Sequence, residues 1–96
     1  SQIQVPLKKI LYFETSPTVH KVILHTIDER IEFYATISEI EKKDSRLYRS
    51  HKSFVVNPAN IERLDKVNKI IYFPNGDSCL VARTKLKGLS ERITLL

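Results

Sequence analysis

Short segments rich in β-branched and aromatic residues follow one another along this chain and are separated by polar turns, with only two glycines and four prolines in 96 residues. In one of them Ile31, Phe33 and Ala35 alternate with Glu32 and Tyr34. That period of two is typical of a strand with one buried face and one solvated face. The pattern therefore predicts a mostly β fold.

Eight strands can be placed on this pattern. The first has its β-rich centre at residues 10–13, and a hairpin follows with a turn at residues 27–29. The remaining strands end at polar turns such as Asn57-Pro58 and residues 74–77. The eight predicted segments are residues 8–16, 20–26, 30–35, 47–49, 53–56, 61–64, 69–73 and 78–82.

Two helices complete the prediction. Thr36 or Ser38 can cap a short helix that runs to about Lys43, with acidic residues near its start. The last part of the chain spaces four apolar residues at helical intervals, with Gly88 weakening the middle. Those four residues are Leu86, Leu89, Ile93 and Leu96.

Length and composition indicate one folded domain over residues 1–96. Hydrophobic residues make up 42% of the chain and charged residues 28%, which is ordinary for a folded protein and does not indicate disorder. No apolar run approaches the roughly 20 residues of a membrane-spanning helix. The start at Ser1 has no signal-peptide character, and we expect the chain to be a fragment of a longer protein.

Catalytic and metal-binding motifs are absent from the sequence. His20, His25 and His51 have no HExxH spacing, and no pair of neighbouring carboxylates suggests an acid/base dyad. Two glycines cannot build a glycine-rich phosphate loop. Cys79 is the only cysteine, so it can form neither an intramolecular disulfide nor a cysteine-based metal site, and a reducing compartment fits. We predict no enzymatic activity, no metal and no cofactor.

The net charge of +5 favours a polyanionic partner, either nucleic acid or an anionic membrane face. The basic residues fall in patches at strand ends and loops, so a DNA-reading surface would be made of loops and strand edges. The patches are His20-Lys21; Arg46, Arg49 and Lys52 with His51 beside them; and Arg83, Lys85 and Lys87.

Several segments together resemble the LytTR family of DNA-binding domains, in particular the AgrA/ComE-like response regulators of Gram-positive bacteria. The resemblance covers nearly the whole chain, and the stretch "RSHKSFVVN" followed by an isoleucine is its most specific part. The segments are "ILYFE", "IEFYATISEIEK", "LYRSHKSFVVNPANI" and "VARTKLKGL", with His20 in a loop that leads into a strand.

The resemblance implies about ten short strands in antiparallel sheets, with one or two short helices. It also implies that loops enter successive major grooves of direct repeats in promoter DNA. The chain would be the cytoplasmic output domain of a two-component quorum-sensing transcription regulator. The receiver domain that drives dimerisation on DNA would lie outside this chain, and the isolated domain would be monomeric.

Carried over by position, the resemblance assigns His20, Lys52 and Arg83 to base contacts. Lys52 stands where some relatives carry asparagine, so it would contact guanine or phosphate rather than adenine. His51 can be structural, because it points away from Lys52. The predicted phosphate contacts are Lys21, Arg49, Ser53 and Lys85.

Two other functions remain open at the level of the sequence. Exposed strand edges could make the chain a protein-interaction or dimerisation module whose basic patches are incidental. Tyrosines interleaved with basic residues could bind RNA.

Overall fold

A computed structural model describes residues 4–94 and has a mostly β architecture, as predicted. Its described residues form eight strands and two α-helices, rather than the about ten strands that the resemblance implies; Leu96, at the end of the predicted last helix, lies outside them. Single turns of 3-10 helix cover Leu7–Lys9, Pro58–Asn60 and Arg83–Lys85. The elements are β1 Ile10–Thr15, β2 Lys21–Thr26, β3 Arg30–Tyr34, α1 Ile37–Lys43, β4 Tyr48–His51, β5 Phe54–Val56, β6 Arg63–Asp65, β7 Ile70–Tyr72, β8 Ser78–Leu80 and α2 Leu86–Thr94.

The strands form two antiparallel sheets. The larger has the order β3-β2-β1-β5-β4, and the smaller has the order β6-β7-β8. In the central strand β1 the pairing with β2 shifts between Ile10 and Tyr12, which marks a bulge at Leu11. Ile10 and Phe13 consequently face one core cluster, while Leu11 and Tyr12 face the other. The bulge explains how four consecutive residues of one strand are all buried.

Helix α1 covers one face of the larger sheet. The side chain of Thr36 accepts a hydrogen bond from the Glu39 backbone at 3.2 Å, and Glu39 accepts one from the Thr36 backbone at 3.0 Å. This capping box satisfies amides that would otherwise lack partners at the start of the helix. Ile37 and Ile40 then pack on the core. The predicted cap at Thr36 is confirmed.

The smaller sheet and α2 cover the opposite face. Leu89 of α2 is fully buried against the same cluster as Ile71 and Phe73. A Cβ atom at Gly88 would meet the hydroxyl of Tyr48, whose ring carbon Cζ would lie 3.1 Å away. Gly88 therefore allows the Tyr48 ring to approach α2, which the sequence alone does not indicate.

Asn57 and Asn60 fasten the chain before β1. The amide of Asn57, which is 2% exposed, donates to the carbonyls of Leu7 and Ile10 at 3.0 Å each. Asn60 donates to the carbonyls of Lys8 and Ile10 at 2.8 and 2.7 Å. The predicted Asn57-Pro58 turn thus also holds the segment before β1 in place through side-chain hydrogen bonds.

Candidate nucleic-acid interface

Three connecting segments lie side by side where strands of the larger sheet end, on one side of the molecule. We call these segments, residues 16–20, 52–53 and 82–85, the loop edge. The end of β1 and the start of β2 are at this edge, as are the end of β4 and the start of β5. The Thr15 amide donates to the Ser53 carbonyl at 3.1 Å, and the Ala82 amide donates to the Ser50 carbonyl at 2.8 Å. These backbone bonds bring the segments carrying His20, Lys52 and Arg83 together.

The first segment, residues 16–20, is held by its own backbone. The Lys21 amide donates to the Thr18 carbonyl at 3.2 Å, and the Thr18 amide donates to the Ser16 hydroxyl at 2.9 Å. His20 has a positive φ of 65°, which is uncommon for a residue other than glycine, and its carbonyl accepts from the Ala35 amide at 3.0 Å. The His20 side chain is exposed at the end of this fixed turn.

Lys21 follows at the start of β2 and lies against an aromatic ring. Its Nζ atom is 4.6 Å from the ring centroid of Tyr34, whose side chain is 76% exposed. A cation over a ring face is attracted by the quadrupole of the ring, so the ammonium is restrained beside His20. The sequence did not identify Tyr34 as a partner of Lys21.

The second segment is the two-residue turn between β4 and β5. Pairing shifts between Arg49 and His51, which marks a bulge at the fully buried Ser50. The Ser50 hydroxyl donates to the Leu80 carbonyl at 3.0 Å and so ties the bulge to β8. Lys52 is exposed at the tip, and Ser53 is half-buried.

The Arg49 side chain lies under this turn and is 20% exposed. Its Nε atom donates to the His51 carbonyl at 2.9 Å, and its Nη2 atom donates to the Lys52 carbonyl at 2.7 Å. Its Nη1 atom is 2.9 Å from the Glu41 carboxylate of α1. Arg49 and Glu41 are eight residues apart in different elements, so no local pattern in the sequence could have revealed this pair.

His51 completes the turn from the other side. Its Nδ1 atom accepts a hydrogen bond from the Ser53 amide at 3.1 Å, which requires an imidazole without a proton on that nitrogen. The ring also packs against Phe54 with 5.5 Å between the centroids. The interpretation of His51 as a structural residue agrees with these contacts.

The third segment leads into α2. Arg83 is exposed at the first position of the short 3-10 turn, and Lys85 at its last position is half-buried. The Lys85 carbonyl accepts from the Tyr48 hydroxyl at 2.9 Å, and the Lys85 amide donates to the Ala82 carbonyl at 2.8 Å. Arg83 is therefore carried by a segment that is bonded to β4 at Ser50 and Tyr48.

Away from the loop edge, the titratable side chains of His25, Tyr12 and Cys79 are largely buried. His25 is stacked on Tyr12 with 4.3 Å between the ring centroids, and its two nitrogens are each 3.5 Å from a carboxylate oxygen, one of Glu14 and one of Asp77. Burial, with help from Asp77, raises the pKa of the Tyr12 hydroxyl, and burial raises that of the Cys79 thiol.

Across residues 4–94 no cluster of three or more potential metal ligands is found, and no helix there is long and apolar enough to cross a membrane.

Comparisons with known proteins agree on one family. The sequence model described as the LytTr DNA-binding domain matches residues 1–94. The accessory gene regulator proteins A of Staphylococcus epidermidis and Staphylococcus aureus are each 37% identical over 87 residues, which is 91% of this chain and 37% of the relative. The chain therefore spans little more than a third of the length of these relatives.

A solved structure shares the fold. It is described as the LytTr DNA-binding domain of a putative methyl-accepting/DNA response regulator from Bacillus cereus, and it superposes with a TM-score of 0.76 at 21% identity. The alignment covers 95% of this chain and 86% of that structure. At this identity the match shows that the two chains share a fold.

Proposed function

Because the chain belongs to the LytTr DNA-binding domain family, we propose that it binds double-stranded DNA in a sequence-specific manner through the loop edge. The observation that carries the proposal is the alignment of three basic segments at one edge by the Thr15–Ser53 and Ala82–Ser50 backbone bonds. The loops of this edge would enter major grooves of the duplex, where the base edges can be distinguished.

In the proposed complex, exposed cations at the loop edge contact base edges. Arg83 can donate two hydrogen bonds to O6 and N7 of guanine, and Lys52 can reach guanine or phosphate as a point charge. His20 can donate to a base edge from its fixed turn. Lys21, Ser53 and Lys85 would contact phosphates, which sets the register of the protein on the duplex but carries no sequence information.

The relatives support a proposal for the biological setting. Their name, accessory gene regulator protein A, and the length they have beyond this chain support an output domain of a response regulator, which would act in the cytoplasm in quorum sensing. A receiver domain elsewhere in the full protein would promote dimerisation on promoter direct repeats. The isolated domain would then bind a single site as a monomer.

The direct test is Arg83→Ala, measured on two duplexes. One is selected by the unchanged chain from a random-sequence library, and the other is a scrambled duplex of the same composition. Loss of a bidentate guanine contact should weaken binding to the selected duplex by about 1–3 kcal/mol and should scarcely change binding to the scrambled one.

Arg46→Ala is the matched control, because it removes the same charge from a side chain that is 70% exposed and bonded to Asp44. It should leave the preference for the selected duplex unchanged. Equal losses on both duplexes for Arg83→Ala would contradict the base contact. An unchanged chain that enriches no duplex and binds neither would contradict DNA binding itself.

A further inference from the structure

The two-residue turn that presents Lys52 does not have the backbone conformation that two-residue hairpins favour. Two-residue hairpins favour turn types that require a positive φ, because these match the twist of the strands. Among residues 4–94 the positive φ values belong to His20, Lys69 and Gly76, so Lys52 and Ser53 both have negative φ. A turn of this shape gains stability from hydrogen bonds made by neighbouring side chains, and the bond from the Ser53 amide to His51 is one of them.

The guanidinium of Arg49 adds support to the carbonyl groups of the turn. Its three nitrogens donate to the carbonyls of His51 and Lys52 and to the carboxylate of Glu41, at 2.7 to 2.9 Å. Two of these bonds go to consecutive carbonyls of the turn, and the third anchors the group to α1. A planar group with donors in fixed directions can make all three bonds at once, whereas a lysine ammonium on a flexible stem cannot match this arrangement.

We propose that Arg49 is a positioning residue that holds the Lys52 turn in its binding conformation, rather than a phosphate contact. Each of its nitrogens already donates to a protein oxygen, and its side chain is 20% exposed. The Lys52 side chain beyond it is exposed. This inference rests on the proposed DNA binding and assigns a role within it.

The two roles differ in their dependence on charge and geometry. A phosphate contact is mainly electrostatic, so lysine at position 49 would preserve much of it. A positioning residue needs the forked geometry, so lysine would fail almost as badly as a neutral residue. A phosphate contact also contributes about 0.9 to the slope of log affinity against log salt concentration, and a positioning residue contributes none.

The experiment compares Arg49→Lys and Arg49→Gln with the control Arg46→Lys, using the selected and scrambled duplexes at several salt concentrations. We expect both Arg49 variants to bind the selected duplex about tenfold more weakly, with smaller losses on the scrambled duplex and an unchanged salt slope. Arg46→Lys should bind like the unchanged chain. Wild-type affinity for Arg49→Lys together with a slope reduced by about 0.9 for Arg49→Gln would overturn the proposal.

Glu41→Ala gives an independent variant in which Arg49 is retained. It makes the protein more positive, so a purely electrostatic account predicts tighter binding to DNA. The positioning role predicts weaker binding to the selected duplex, because the anchor to α1 is lost. Tighter binding to both duplexes would contradict it.

A measurement without DNA separates this inference from the proposed function. Heteronuclear NOE values of the Lys52 and Ser53 amides report the order of the turn on the picosecond to nanosecond scale. They should fall in Arg49→Lys and stay unchanged in Arg46→Lys. Unchanged values in Arg49→Lys would overturn the positioning role, whereas failure of the unchanged chain to bind any duplex would overturn only the proposed function.

Discussion

The two edges of the larger sheet differ in what their polar side chains accomplish. At the loop edge, side chains such as Arg49 and Ser16 order the connecting segments, and the exposed cations extend beyond them. At the opposite edge, which we call the distal edge, residues 27–29 connect β2 to β3, and residues 57–60 follow the end of β5. There Asn57 and Thr26, each no more than 3% exposed, bond to the backbone of neighbouring segments.

The difference shows how one set of strands can separate stability from binding. The distal edge bonds its buried polar groups within the protein, and removing one leaves its partners unsatisfied. At the loop edge the side-chain hydrogen bonds fix the conformation of turns, so changes there should alter DNA binding more than folding. Mutations at the distal edge should therefore lower stability and leave DNA affinity unchanged, whereas mutations at the loop edge should lower DNA affinity and change stability less.

Asn57→Ala should give the largest effect and should affect stability alone. It removes donors from the Leu7 and Ile10 carbonyls and an acceptor from the Ala59 amide. With a hydrogen bond to a buried group worth about 1–3 kcal/mol when its partner is lost, we expect the free energy of unfolding to fall by about 2–4 kcal/mol in urea denaturation.

Asn60→Ala is the control for that variant, because Asn60 bonds the same segment from a half-exposed position where water can replace it. It should cost about 1 kcal/mol. The affinity of the folded fraction for the selected duplex should not change in either variant. An Asn57→Ala cost no larger than that of Asn60→Ala would show that the distal edge does not have the proposed role.

Gly88→Ala should affect both stability and DNA binding, since Gly88 lies against Tyr48, whose hydroxyl donates to the Lys85 carbonyl of the loop edge. Alanine gains about 1 kcal/mol in helix propensity, but overpacking against Tyr48 costs about 1–3 kcal/mol and displaces its hydroxyl from the Lys85 carbonyl. We expect the variant to be less stable by up to about 2 kcal/mol in thermal unfolding, with weaker DNA binding because the Arg83 segment shifts.

Tyr48→Phe provides the background that sharpens this test. Without the hydroxyl, the closest obstacle to a Cβ atom at Gly88 is gone, so Gly88→Ala should cost less stability in that background. If the two changes were simply additive, contact with the Tyr48 hydroxyl would not be the reason for the glycine.

Asp44 should give the smallest effect, seen only in acid. Hydrogen bonds from the Arg46 side chain and backbone lower the pKa of Asp44 from its ordinary value to about 2. The contribution of Asp44 to stability is therefore present above about pH 4 and is lost as the pH falls toward 2. A carboxyl titration by NMR should place its midpoint near 2, and Arg46→Ala should return it toward the ordinary value. A midpoint already at the ordinary value in the unchanged chain would contradict this pairing.

Much of the fold was predictable because its signals are local. The alternation in β3, the capping sequence at Thr36 and the polar turns each depend on a few neighbouring residues, and all are observed. The resemblance to the LytTR family, which covers nearly the whole chain and is most specific at "RSHKSFVVN", is confirmed. The assignments of individual side chains to bases or phosphates remain predictions.

The missed features depend on residues that are distant in the sequence. The bulge at Leu11 shifts the pairing of β1 with β2, and the role of Gly88 depends on a tyrosine forty residues earlier. Glu41 reaches Arg49 only after α1 has packed on the sheet. A pattern of single residues carries no signal for such contacts. The assignment of Arg49 to a phosphate contact comes from the resemblance and stays a prediction, with which the proposed positioning role competes.

The most direct test of the account is a map of amide chemical-shift changes when the selected duplex is added to the unchanged chain. We expect the largest changes at residues 16–20, 52–53 and 82–85, and little change at residues 27–29 and 57–60. Changes centred on the distal edge, or spread evenly over both edges, would contradict the assignment of DNA binding to the loop edge.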